Sequence, residues 1–138
     1  MTPIFVDTSA WIALIYPADP LFPDADSQLR EALLKQRHFV TASTIVLEVL
    51  DGLAKQKLRY FVPIFESYLQ KTPLLETVWI DARIYNSGLA LFNSRSDKAW
   101  GLTDCISFVV MQERGITDAL TYDHHFEQAG FRALLRQN

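Results

Sequence analysis

The chain has 138 residues, 49% hydrophobic and 21% charged, with a single cysteine and a formal net charge of −3. That length and balance describe one ordinary soluble globular domain, residues 1–138, with one core. The lone Cys105 excludes an intramolecular disulfide and an all-cysteine metal site, and fits a reducing, cytoplasmic setting.

The first fifteen residues, MTPIFVDTSAWIALI, have no basic leader, and Asp7 interrupts their apolar run. Neither a signal peptide nor a membrane span is expected. Pro3 to Val6 reads as a buried strand ending in an acid, and Thr8 and Ser9 as caps of a helix over Ala10 to Ile15 that stops at Pro17. The Pro-rich stretch from Tyr16 to Asp24 is a loop within the domain. Leu29, Leu33 and Leu34 place a helix over Asp24 to Lys35. His38 to Thr41 reads as a strand, with Ser43 or Thr44 capping the periodic run Ile45, Leu47, Val49, Leu50, Leu53. Leu58 to Gln70 reads as a helix, Thr77 to Ile80 as a strand and Ala82 to Asn93 as a helix. Thr103 caps a helix over Asp104 to Arg114, with Gly115 in the C′ position. Ala119 to Tyr122 is an apolar strand ending in an acid, DHHFEQAG a polar loop, and Phe131 to Leu134 an edge strand.

Strands alternating with helices predict an α/β fold: a mostly parallel sheet with helices on both faces. Ligands of such sheets bind outside the carboxyl ends of the strands. Asp7 and Asp123 fall at two of those ends. Each alone reads equally as a helix cap or a turn residue. Glu48 interrupts the apolar face of TIVLEVLDGL, and an unpaired carboxylate buried there would cost several kcal/mol or more, so it is expected to face a pocket. Asp104 sits in a first helical turn, where the helix dipole favours an acid. If the fold gathers these four, their repulsion calls for a hard divalent cation. Such a cluster is a common way to hydrolyse a phosphodiester. Without those four acids the rest of the chain is net +1, so the negative balance does not exclude RNA or DNA.

The segments IFVDTSAW, TIVLEVLDGL, WGLTDCISFVVM and ALTYDHHFEQAGF resemble the successive motifs of PIN-domain ribonucleases, with VapC-like toxins of bacterial toxin–antitoxin pairs the nearest type. The resemblance covers nearly the whole chain, and its most specific part is the LTD…TYD pair. It implies a three-layer α/β/α fold with sheet order 3-2-1-4-5. It also implies Mg²⁺ or Mn²⁺ held by Asp7, Glu48, Asp104 and Asp123, an endoribonuclease activity, a homodimer and a small antitoxin partner. Thr8 and Thr121 stand beside these acids and can hydrogen-bond a carboxylate or a metal-bound water, while Asp97, seven residues before Asp104, is either an additional ligand or, by preference, a surface or loop acid.

Basic candidates for RNA phosphates are Lys35, Arg37, Lys55, Lys57, Arg59, Arg95 and Lys98, and Trp11, Trp100 or Tyr122 are candidates for stacking on a base. His124 and His125 are expected to point apart in a loop, and Cys105 to be a core residue and not a nucleophile. The aromatic stretch Tyr60, Phe61, Phe65 and Tyr68 reads as core or as an interface. Two other enzyme classes place an Asp after the first strand. A haloacid-dehalogenase-like domain expects an acid where Ser9 stands, and a receiver-like domain expects one where Val6 stands. A catalytically silent PIN-like interaction module is the non-enzymatic alternative.

Overall fold

The computed structural model describes residues 1–137. Five short strands, β1 (Ile4–Val6), β2 (Phe39–Ala42), β3 (Leu75–Val78), β4 (Asp118–Leu120) and β5 (Arg132–Ala133), form one sheet ordered β3-β2-β1-β4-β5. All four pairings are parallel. The expected three-layer architecture and strand order are those observed. Strands β1, β2 and β4 are buried along their whole length. A sheet covered on both faces reads in sequence as apolar runs without alternation.

Seven α-helices are described: α1 (Thr8–Ile15), α2 (Phe22–Leu34), α3 (Ser43–Gly52), α4 (Val62–Lys71), α5 (Ala82–Ser94), α6 (Leu102–Glu113) and α7 (His124–Gln128). None is long and apolar enough to cross a membrane.

Several boundaries differ from the sequence expectation for identifiable reasons. The helix expected over Leu58 to Gln70 is broken into a 3₁₀ turn (Gln56–Phe61) and α4, with Pro63 in the first turn of α4. Proline lacks an N–H and is tolerated only in a helix's first turn, so the α-helix begins beside Pro63. The strand expected over Thr77 to Ile80 ends earlier, at Val78, because Ser43 Oγ accepts the Ile80 N–H at 2.9 Å. The polar segment expected to be a loop is α7, capped by Asp123, whose Oδ1 accepts the His125 N–H at 2.9 Å. Gly115 (φ 64°) closes α6 as expected. The Gly115 N–H bonds Gln112 O and the Ile116 N–H bonds Met111 O, the paired bonds of a Schellman ending.

Helices α5 and α6 cross closely at Gly88, which sequence reasoning did not single out. A Cβ at Gly88 would lie 2.6 Å from Ile106 Cγ1 and 3.3 Å from Ile106 Cα. Branched substitution there forces the helices apart. Gly88→Val is expected to cost about 1–3 kcal/mol by overpacking, read as a lower midpoint in urea. An unchanged midpoint would mean that the α5–α6 contact is loose.

Candidate active site

The four acids singled out in the sequence meet at the carboxyl edge of the sheet. They line one open cleft of about 480 Å³ together with Thr8, Ser9 and Asp51. No Lys or Arg is among these lining residues.

Topology explains the convergence. Parallel strands β1 and β4 are neighbours and exit toward the same edge, where the Asp7 N–H bonds Leu120 O at 3.1 Å. Asp7 follows β1 directly, and its side chain is turned inward, leaving the residue 7% exposed. Thr121, just past β4, donates its hydroxyl to Asp7 Oδ2 at 2.8 Å and accepts the Asp123 N–H at 3.0 Å. Ser9 Oγ accepts the Tyr122 N–H at 3.0 Å. The hydroxyls of Thr8 and Ser9, expected to cap α1, are thus drawn into the cleft. Thr8 Oγ1 donates to Glu48 Oε1 at 2.7 Å.

Glu48 faces the cleft as expected, yet it is exposed rather than buried, because the cleft is open. The face that Glu48 interrupts is not wholly apolar and covered, since the neighbouring Leu47 is 60% exposed. Asp51 is a cleft acid outside the four expected from the sequence. It lies three residues beyond Glu48 on α3, and positions i and i+3 share a helix face, so that spacing was the available signal. Asp97 remains outside, paired with Arg95 on the surface at 2.9 Å.

Asp104 occupies the first turn of α6, and its Oδ2 accepts the Gly101 N–H at 3.0 Å. The helix therefore starts one residue before the expected cap Thr103, with Gly101 as N-cap. His125 Nδ1 lies 3.2 Å from Asp104 Oδ2 and 3.3 Å from Asp123 Oδ1, between the two carboxylates.

Burial pushes the Asp7 carboxyl up to about 7, against the opposing bond from Thr121, and the Asp123 and Glu48 charges raise it further. Burial also raises Asp104, with Asp123 adding to it. A cleft that makes its own acids reluctant to ionise is one in which a bound cation is strongly favoured. The donors are carboxylate and hydroxyl oxygens, the set that suits Mg²⁺ or Mn²⁺.

The basic candidates divide. Lys35 is paired with Glu31 and Arg37 with Asp118, and Arg37 precedes β2 at the edge of the sheet opposite the cleft. Lys55, Lys57 and Arg59 follow α3, and Asp51 borders both the cleft and an adjoining hollow that contains Arg59. Trp11 and Trp100 are 1% and 6% exposed and cannot stack on a base, whereas Tyr122, beside Asp123, is 48% exposed. The aromatic stretch is mixed as well: Phe65 is core and Tyr60 is 75% exposed. Cys105 is buried, as expected.

A family model described as the PIN domain matches residues 4–132. No curated protein matches the chain. Among solved structures, VapC20 of Mycobacterium tuberculosis, a toxin cleaving the sarcin–ricin loop, superposes with a TM-score of 0.80 at 21% identity, covering 94% of this chain and 96% of its own. FitAcB from Neisseria gonorrhoeae superposes with a TM-score of 0.64 at 18% identity, covering 94% of each chain. At those identities the superpositions establish the fold.

Proposed function

The chain belongs to the PIN-domain family, and from that premise we propose that it is a Mg²⁺- or Mn²⁺-dependent endoribonuclease, the toxin of a toxin–antitoxin pair. The observation that carries this reading is the single cleft holding Asp7, Glu48, Asp104 and Asp123 with no lysine or arginine among its lining residues. The VapC20 likeness supports the toxin half, since that protein is itself a toxin cleaving the sarcin–ricin loop. The proposed setting is the cytoplasm, in keeping with the lone reduced Cys105.

In the proposed reaction Asp7 and Asp123 hold the ion, while Glu48 and Asp104 complete its surroundings. When bound, the ion supplies Lewis acidity to an attacking water and to the phosphodiester. Thr121 fixes the Asp7 carboxylate through its 2.8 Å bond, and Thr8 fixes Glu48 at 2.7 Å. Both side chains are therefore oriented before substrate arrives. Lys55, Lys57 and Arg59, just past α3, lead the RNA backbone away from the cleft, and the half-exposed Tyr122 with the Arg136 guanidinium 4.9 Å over its ring stands at the rim.

Two protein partners belong to this reading, a second copy of the chain and a small antitoxin.

The test is cleavage of end-labelled RNA by the purified chain with Mg²⁺ and with EDTA. Cutting only with the cation supports the proposal, and no cutting under any divalent ion leaves the silent-module alternative. Binding has its own signature. Each phosphate contact to a single strand contributes about −0.7 to the slope of log K against log salt. Lys55→Ala/Lys57→Ala is expected to flatten that slope by roughly 1.4 by the same rule, measured by anisotropy in EDTA. An unchanged slope would place the RNA elsewhere.

A further inference from the structure

His124 and His125 do not point apart. On a strand, successive side chains diverge by a half-turn. Here both residues occupy the first turn of a helix, where successive side chains diverge by about 100° and can converge on the residue that caps them. The two rings lie 4.5 Å apart between centroids. One donor atom from each of Asp123, His124 and His125 falls within a 4.8 Å group.

We propose that Asp123, His124 and His125 form a binding site for a borderline transition-metal ion of the Zn²⁺ type on the shoulder of the acidic cleft. The geometry favours it. Ligands about 2.1 Å from a tetrahedral ion stand ~3.4 Å from one another. The separations found are 3.3 Å from His125 Nδ1 to Asp123 Oδ1 and 3.8 Å from His124 Nδ1 to the same oxygen. Asp104 Oδ2, 3.2 Å from His125 Nδ1, stays outside this group of three and braces the His125 ring, which leaves the fourth position to water. Imidazole also separates this site chemically from the rest of the cleft. Nitrogen donors select Zn²⁺, Ni²⁺ or Co²⁺, while Mg²⁺ prefers oxygen alone.

The site stands on these distances and holds whether or not the chain cuts RNA. Its consequence follows from the shared carboxylate. An ion held by His124 and His125 occupies Asp123, one of the acids proposed for the catalytic ion, so Zn²⁺ would act as an antagonist of Mg²⁺.

The experiment is calorimetric titration of the untagged full chain with Zn²⁺, alongside the visible spectrum of the Co²⁺ complex. The expected result is one equivalent bound. Affinity should fall by at least about 10-fold in His124→Ala, beyond the lower end of what even outer-shell ligand partners contribute, and further in His125→Gln. His124 is the safer probe of folding, because its side chain is 56% exposed. His38→Ala controls for the chain's remaining histidine, which lies at the opposite edge of the sheet, and should leave binding unchanged. No Zn²⁺ binding by the wild type, or His124→Ala binding as tightly as the wild type, would overturn the proposal. The second outcome would mean that the acids alone hold the ion.

Discussion

Asp7→Asn is expected to lower cation-dependent RNA cleavage on the order of 10³-fold while leaving the far-ultraviolet dichroism unchanged. A carboxylate that holds a catalytic ion takes part in several kcal/mol of charge stabilisation, and about 4 kcal/mol corresponds to a factor near 10³ in rate. The fold should tolerate the change because asparagine is nearly isosteric, and its carbonyl oxygen can accept the Thr121 hydroxyl now 2.8 Å from Asp7 Oδ2. Removing a charge from a site 7% exposed also removes its desolvation cost. Asp97→Asn is the matched control. Asp97 is exposed and pairs only with Arg95, so its loss should leave cleavage intact. If Asp7→Asn cuts at the wild-type rate, the activity belongs to another site or to a contaminant.

The features legible in the sequence were those set by the backbone's coarse path. Apolar runs such as Ile4–Val6 ending in an acid announced strands buried on both faces. Parallel topology then required Asp7 and Asp123 to share an edge. What was not legible was where each hydroxyl spends its hydrogen bond. Thr8 and Ser43 both looked like caps, yet Thr8 donates to Glu48 and Ser43 accepts the Ile80 N–H. A local capping signal cannot reveal a partner 40 or 37 residues away. Asp51 is a different case. It shares a helix face with Glu48, but that face alone does not say whether it borders open solvent or the cleft, and the structure shows that it does both. The two histidines converge because their polar segment is a short helix and not a loop. Asp123 as N-cap and Glu127 in the first turn are the local signals for it, but five residues are too few to show a helical period.

Without a cation, the folded chain is expected to lose stability as pH rises from about 4 to about 7, and a divalent ion is expected to restore it. The Asp7 carboxyl titrates near 3.8 in the unfolded chain and about 7 in the folded one. Between those values the folded state binds the extra proton, so unfolding becomes easier with increasing pH. The contribution is absent below the lower value and complete above the upper one, where it is a penalty on the order of 4 kcal/mol at about 1.36 kcal/mol per pH unit. Asp104, also raised by burial, acts with the same sign. A cation binds the ionised carboxylates, so it stabilises most where the penalty is greatest, by about 2.7 kcal/mol at a hundred times its dissociation constant. The check is the melting temperature against pH, in EDTA and in Mn²⁺, for the wild type and Asp7→Asn. In EDTA the variant should draw level with and then exceed the wild type as pH climbs through that window, because it has no proton to lose. Mn²⁺ should raise the wild type at pH 8 far more than the variant. Parallel curves for the two proteins would show that Asp7 is an ordinary solvated acid, and the cleft would then have no electrostatic need for an ion.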